Sequence, residues 1–216
     1  MKQTAFLILA ATLLLVSCNN SSDDKSKSGA DSTTTTAGKD DKKEAPLPDS
    51  VMKKNWEAYM TPGDVHKMMA SWDGTWNSEV TMWEKPGAEP QKSVGSCVNK
   101  MVLGGRYQES VHHGDMAGMP FEGHSTLGYD NIKKVFQSIW EDNMGTGIMM
   151  MEGTWDAATK TATFTGKGMD PMTAKEKDYK ETFNVIDDNT QMMAMYAPGP
   201  DGKEWKMMEI KFTRKK

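Results

Sequence analysis

Three of the four histidines, His112, His113 and His124, lie in the stretch GGRYQESVHHGDMAGMPFEGHSTLGYD that runs from Gly104 to Asp130. Imidazoles beside acids can ligate zinc or copper, or move protons near neutral pH. Spacing limits those uses. In a strand through Arg106–His113 the side chains alternate, so Arg106, Gln108, Ser110 and His112 share one face, and Tyr107, Glu109, Val111 and His113 the other. The adjacent histidines point apart and cannot chelate one ion, although His112 or His113 could meet His124 across a hairpin. The pattern favours exposed or rim histidines, and no metal site is expected.

Methionine is the second chemical feature. The chain has 20 of them, with clusters at Met149–Met151, Met192, Met193, Met195, Met207 and Met208. Thioethers suit Cu(I), but they also fill irregular cores and line adaptable binding surfaces. Alternation sends neighbours in these clusters to opposite faces, which scatters the sulfurs. A soft cavity lining is the better use of them.

Enzymatic signatures are lacking. There is no Gly-x-Ser-x-Gly elbow, no glycine-rich phosphate loop and no His-Glu-x-x-His, and Cys97 has no flanking catalytic motif. Glu141 and Asp142 fall on opposite faces or in a turn. Haem-binding barrels use a histidine late in the chain, whereas the last one here is His124. No enzyme activity and no cofactor are expected. Four other residues are candidates for a binding site. Arg106 follows two glycines at a strand start, where it could clamp a carboxylate bidentately or stack on a tryptophan. Tyr129 and Trp140, on neighbouring strands, are candidate lining residues, and Trp76 is a candidate plug.

These residues need elements to position them. About ten strand-length segments, Thr75–Glu84, Ser93–Leu103, Arg106–His113, Phe121–Tyr129, Lys133–Glu141, Gly147–Trp155, Thr161–Lys167, Asp178–Ile186, Thr190–Ala197 and Glu204–Arg214, are separated by turn signals such as KPGAEP, GDMAGMP and APGPDGK. Short, evenly spaced strands predict an antiparallel barrel or sandwich, and closure would remove exposed edges. One or two short helices precede them. Met52, Trp56, Tyr59 and Met60 recur at helical spacing, and so do Val65, Met68, Met69 and Trp72. In TPGD, Thr61 can cap, Pro62 fits the first helical position and Asp64 completes a capping-box-like pair. Both helices are expected to pack on the sheet or close its end.

The N-terminus carries an address. Ala5 to Val16 is an apolar run too short to span a bilayer, and it reads as a signal-peptide core after Lys2. Its end, LVSC, resembles the bacterial lipobox, which implies that Cys18 is lipidated with palmitate-type chains and becomes the mature N-terminus. Two or more chains anchor stably where one does not. Residues 18–50 contain no aromatic and read as a flexible tether. NNSSDDK resembles the acid-rich signal of bacterial lipoproteins sent to the outer leaflet. This predicts an outer-membrane or surface lipoprotein: signal peptide 1–17, lipidated cysteine and tether 18–50, one domain 51–216 with helices over 51–72. With Cys18 lipidated, Cys97 has no disulfide partner. The net charge of −4, with no basic block beyond the Arg214-Lys215-Lys216 tail, argues against nucleic acid.

TPGDVHKMMASWDGTW, MVLGGRY, MAGMPFEGHSTLGYD, WEDNMGTG and MMEIKFTRK together resemble the domain-of-unknown-function 1579 family of bacterial proteins, from Thr61 to the C-terminus. That resemblance implies a lipocalin-like, all-β barrel. Gly74-Thr75-Trp76 is similar to the first-strand Gly-x-Trp of lipocalins, whose tryptophan plugs one barrel end and stacks on an arginine. The functional expectation is a lipid-anchored module holding a small apolar or amphipathic ligand. Its alternative is a solid barrel that meets another envelope protein through its outer face.

Overall fold

The computed structural model describes residues 46–216. The calls on Cys18, the signal peptide and nearly all of the tether fall outside those residues. Two helices, α1 (Asp49–Met60) and α2 (Asp64–Ser71), precede ten strands. These are β1 (Gly74–Met82), β2 (Gln91–Val102), β3 (Tyr107–Met116), β4 (Met119–Asp130) and β5 (Val135–Asp142), then β6 (Met149–Asp156), β7 (Thr161–Asp170), β8 (Lys175–Asp187), β9 (Thr190–Pro198) and β10 (Glu204–Arg214). Each strand pairs antiparallel with its sequence neighbours, and β1 pairs with β10, so the sheet closes into an up-and-down barrel without a free edge. Ten strands preceded by two helices is the architecture read from the sequence.

Hairpin chemistry sets the strand lengths. The GDMAGMP segment, expected as a loop, is strand almost throughout. Only Ala117 and Gly118 turn, both at positive φ (54° and 85°), as a two-residue hairpin connection requires. β7 and β8 likewise run on to Asp170 and back from Lys175, well past the expected ends.

α2 closes one end of the barrel. Met69 and Trp72 are fully or nearly fully buried and pack with Phe136, Ala162, Phe164 and Met151 in one cluster. Beside it Trp76, Cys97, Ile210 and Phe212 form a second. Trp76 is the plug: it is 1 % exposed, its indole N–H donates to the Trp72 carbonyl at 3.0 Å, and the Arg214 guanidinium lies 4.2 Å above its ring. Gly74 makes room for this arrangement. Its φ is +126°, and a Cβ there would sit 2.9 Å from Arg214 Nη1.

The arginine role assigned to Arg106 is therefore corrected. Arg106 is exposed in the β2–β3 turn, where it donates to the carbonyls of Leu103 (3.1 Å) and Met60 (2.8 Å). Arg214 stacks on the tryptophan because closure sets Trp76 directly opposite Arg214 in the β1–β10 register. Two helical expectations also change. Thr61 does not cap α2; its hydroxyl donates to the Glu57 carbonyl at the end of α1, and the Gly63 N–H is taken up by His66 Nδ1 instead. α1 buries none of its residues, and it is tied to the barrel by Asn131, which donates to the Ala58 and Thr61 carbonyls, and by Arg106.

Trp76→Ala should cost about 3–5 kcal/mol, the usual penalty for emptying a fully buried aromatic site. Arg106→Ala should cost under about 1 kcal/mol, as an exposed substitution does. Urea denaturation of both variants checks the pair; a larger loss for Arg106→Ala would reverse the assignment of the two arginines.

Candidate functional site: the barrel cavity

Beyond the plugged half, the barrel is hollow. A cavity of about 430 Å³ extends from Trp72 and Phe136 to the end of the barrel away from α2, within the size range of small-molecule sites. It exists because the inward-facing positions there are small or flexible. Ser78, Ser110, Ser125 and Ser138 line its wall, where larger residues would fill the centre.

Methionine supplies much of the rest. Met82, Met116, Met149, Met151, Met193, Met195, Met207 and Met208 all line the cavity. The expected scattering is half right: Met150 does point outward, 65 % exposed. The inward partners, however, converge from five strands. A bulge between Lys206 and Met208 breaks the β9–β10 register and lets both Met207 and Met208 reach the interior.

Of the sequence candidates, Trp140 lines the cavity. Its indole N–H donates to Asp142 Oδ2 at 2.8 Å, its ring stacks with Phe121, and its edge meets His112 at a centroid distance of 5.1 Å. Tyr129 does not line it, which corrects that assignment. It packs edge-on against Phe136 and His66 beneath α2, in the closed half. Arg106, outside the barrel, lines nothing. Of the three lining candidates the structure places Trp140 in the cavity wall, and Trp76 lies outside that wall.

The histidines separate as alternation requires. His112 faces inward with Nε2 3.5 Å from Cys97 Sγ, while His113 and His124 lie outside and share Glu122, at 3.7 Å and 3.0 Å. Among the described residues no group of three His, Cys, Asp or Glu is arranged to hold a metal ion. The Cys97–His112 pair has the composition of a nucleophile and its base but the wrong electrostatics. Burial pushes the thiol up to about 12. Burial first, then the charges of His124 and His113, brings the imidazole down to about 4. Both groups are neutral at pH 7, and the thiol donates to Asn99 Oδ1 at 2.9 Å.

The residue that the sequence reading passed over is Glu181. It lies mid-strand on β8, on the inward face with Tyr179 and Phe183, opposite Phe164 of β7 and Met195 of β9. Its carboxyl makes no hydrogen bond or ion pair among the described residues, and burial alone lifts it to about 7. The alternation Tyr179, Glu181, Phe183, Val185 carried the signal: one acid within an otherwise apolar face.

With this geometry established, comparison with known proteins gives the family. The sequence profile of the family described as protein of unknown function (DUF1579) matches residues 61–214. The chain belongs to the DUF1579 family. No curated protein matches it in sequence. Among solved structures, Rv2717c from M. tuberculosis superposes with a TM-score of 0.55 at 12 % identity, over 72 % of this chain and 100 % of that one, which shows a shared fold. A redesigned β-barrel gives 0.36 at 12 % identity, over 68 % and 95 %, too low to bear on the fold.

Glu181 and His112 give opposite pH dependences. The unfolded chain releases the Glu181 proton near 4.5 and the folded one near 7; in that window the folded state holds more protons, so this group lowers stability as pH rises. The unfolded chain protonates His112 below 6.5 and the folded one only below about 4; this group lowers stability as pH falls. The two slopes oppose between about 4.5 and 6.5. Relative to the parent, Glu181→Gln should therefore gain stability progressively across pH 4.5–7, by about 3 kcal/mol at the upper end. His112→Gln should remove the acid-side loss. Urea midpoints measured from pH 4 to 8 test this, and curves parallel to the parent's would contradict it.

Proposed function

We propose that this protein is a binding module of the cell envelope, anchored by lipid at Cys18, that holds a small apolar or amphipathic molecule in its barrel. One observation carries the reading: a 430 Å³ interior whose wall includes eight methionines and eight aromatic side chains. A barrel serving only as a scaffold gains nothing from hollowness, since voids forfeit packing contacts. The methionine lining suits shape tolerance, because an unbranched thioether repacks at low cost. Neutral Cys97 and His112 weigh against nucleophilic chemistry in the same space. The address rests on the sequence: LVSC before residue 19 and the acid-rich NNSSDDK segment support an outer-membrane lipoprotein whose acyl chains are its only membrane attachment.

The cavity is testable with the neutral dye N-phenyl-1-naphthylamine. It should bind with micromolar affinity, about −8 kcal/mol, and change tryptophan emission. Trp140→Ala should weaken binding at least tenfold with a smaller loss of stability. Ser138→Leu, which puts a side chain into the void, should weaken it without destabilising. If no binding is seen up to millimolar dye, the barrel is an interaction scaffold and this reading fails.

The anchor has its own test. Cells given labelled palmitate should incorporate it into the native protein and not into Cys18→Ser, which should fractionate as soluble or unprocessed. Label in the Cys18→Ser protein would place the lipid elsewhere.

A further inference from the structure

The charge of the cavity restricts what can fill it. Among the described residues that line it there is no lysine and no arginine, while three acids border it, Asp142 and Glu181 in the wall and the exposed Asp115 at its rim. Asp142 is engaged with the Trp140 indole N–H and the Met144 backbone N–H, and Asp115 accepts from the Gly118 N–H in its hairpin turn. Glu181 alone of the three has no protein donor among the described residues. No protein donor bonds it: the inward residues of β7 beside it are Phe164 and Gly166, those of β9 are Met193 and Met195, and on its own strand Phe183 carries no donor and the Tyr179 hydroxyl makes no hydrogen bond to it.

An ionisable group in an apolar cavity, with neither counter-charge nor donor, is costly unless a partner arrives. The partner must come from the cavity, because the outward neighbours Lys180 and Lys206 already pair with Glu204 and Glu209. Aromatic rings around the carboxyl add attraction for a cation, and thioether sulfurs offer lone pairs. We propose that the ligand of this barrel is an amphipathic organic cation, whose ammonium group is received by Glu181 among Phe164, Tyr179 and Phe183 while its apolar tail lies along the methionine wall. This rests on the cavity-binding reading above and specifies its ligand class. It also reverses the charge of ligand that a clamp at Arg106 would have selected. Near pH 7 the Glu181 carboxyl sits close to its own titration point, so a bound cation shifts it to the ionised form.

The test uses the full-length protein and three ligands of equal chain length: octylammonium, 1-octanol and octanoate. Their affinities are read by displacement of N-phenyl-1-naphthylamine. At pH 8 octylammonium should bind at least tenfold more tightly than 1-octanol, and octanoate more weakly than both. In Glu181→Gln the ammonium preference should disappear while 1-octanol affinity stays within about threefold of the parent's. A second arm needs no variant: the octylammonium-to-octanol ratio of the native protein should shrink toward unity between pH 8 and pH 5. Octanol affinity should hold, since Tyr179 and, across the cavity, neutral His112 and Cys97 keep their state over most of that range. If the dye binds but octylammonium is no better than octanol, or if Glu181→Gln weakens all three ligands alike, the cation inference is wrong and the cavity reading survives. If neither dye nor any octyl ligand binds, both fall.

Discussion

The structure depends on how the carbonyls at the end of α2 are satisfied. A helix leaves its last carbonyls without internal donors, and here the barrel provides them. Gln108 Nε2 donates to Met69, Asn99 Nδ2 and Trp76 Nε1 to Trp72, and Arg214 to Ser71 and Asp73. The donors come from β1, β2, β3 and β10, so the cap is complete only when β10 has closed on β1. The same contacts drive Met69 and Trp72 into the barrel, where they complete the apolar cluster of the closed half. Plugging one end thus follows from closure, and the remaining volume must open at the other.

That division assigns different physics to the two halves. In the plugged half, the acid beside α2 is partnered by protein: Asp73 takes the Met101 N–H at 2.9 Å and the Gln108 amide at 2.8 Å. In the open half, Glu181 faces a void with no protein donor in reach, and its carboxyl rises accordingly. A fold selected for stability alone would place an apolar residue there, since a carboxyl set in an apolar cavity without a protein partner lowers stability. His112 carries the complementary penalty and answers it by staying neutral. The cost is concentrated in the cavity, where a bound molecule could offset it.

The strand count, the two helices and the inward position of Trp140 were legible because each rests on local period: two for the strands, 3.6 for the helices. What was not legible depends on register across closure. Arg106 and Arg214 both stand beside strand ends, and nothing local says which one meets Trp76; the β1–β10 pairing decides it, between residues at opposite ends of the domain. Tyr129 shares the inward face with cavity residues, yet it lies on the plugged side because β4 runs toward α2 at its C-terminal end. Glu181 was legible in principle, as an acid within an apolar alternating face. The bulge that turns both Met207 and Met208 inward was not, since it breaks the alternation on which such readings rest.

The lining chemistry also separates two tasks that a binding barrel must perform. Methionine wall and serine gaps tolerate many tail shapes, because thioethers repack and small hydroxyls leave volume. They therefore discriminate poorly among apolar molecules, for which a methylene is worth only about 1–3 kcal/mol. Discrimination has to come from the polar groups. Of these, Trp140 is held at the wall by Asp142, Gln108 is committed to α2, and Cys97 is engaged with Asn99. Glu181 is the acid left uncommitted, and a charge within the cavity tells ligand classes apart more sharply than any apolar contact. A site is permissive toward tails and strict toward head groups when soft residues and an uncommitted charge occupy different parts of the wall, as the methionines of β1, β3, β6, β9 and β10 and the Glu181 carboxyl of β8 do here.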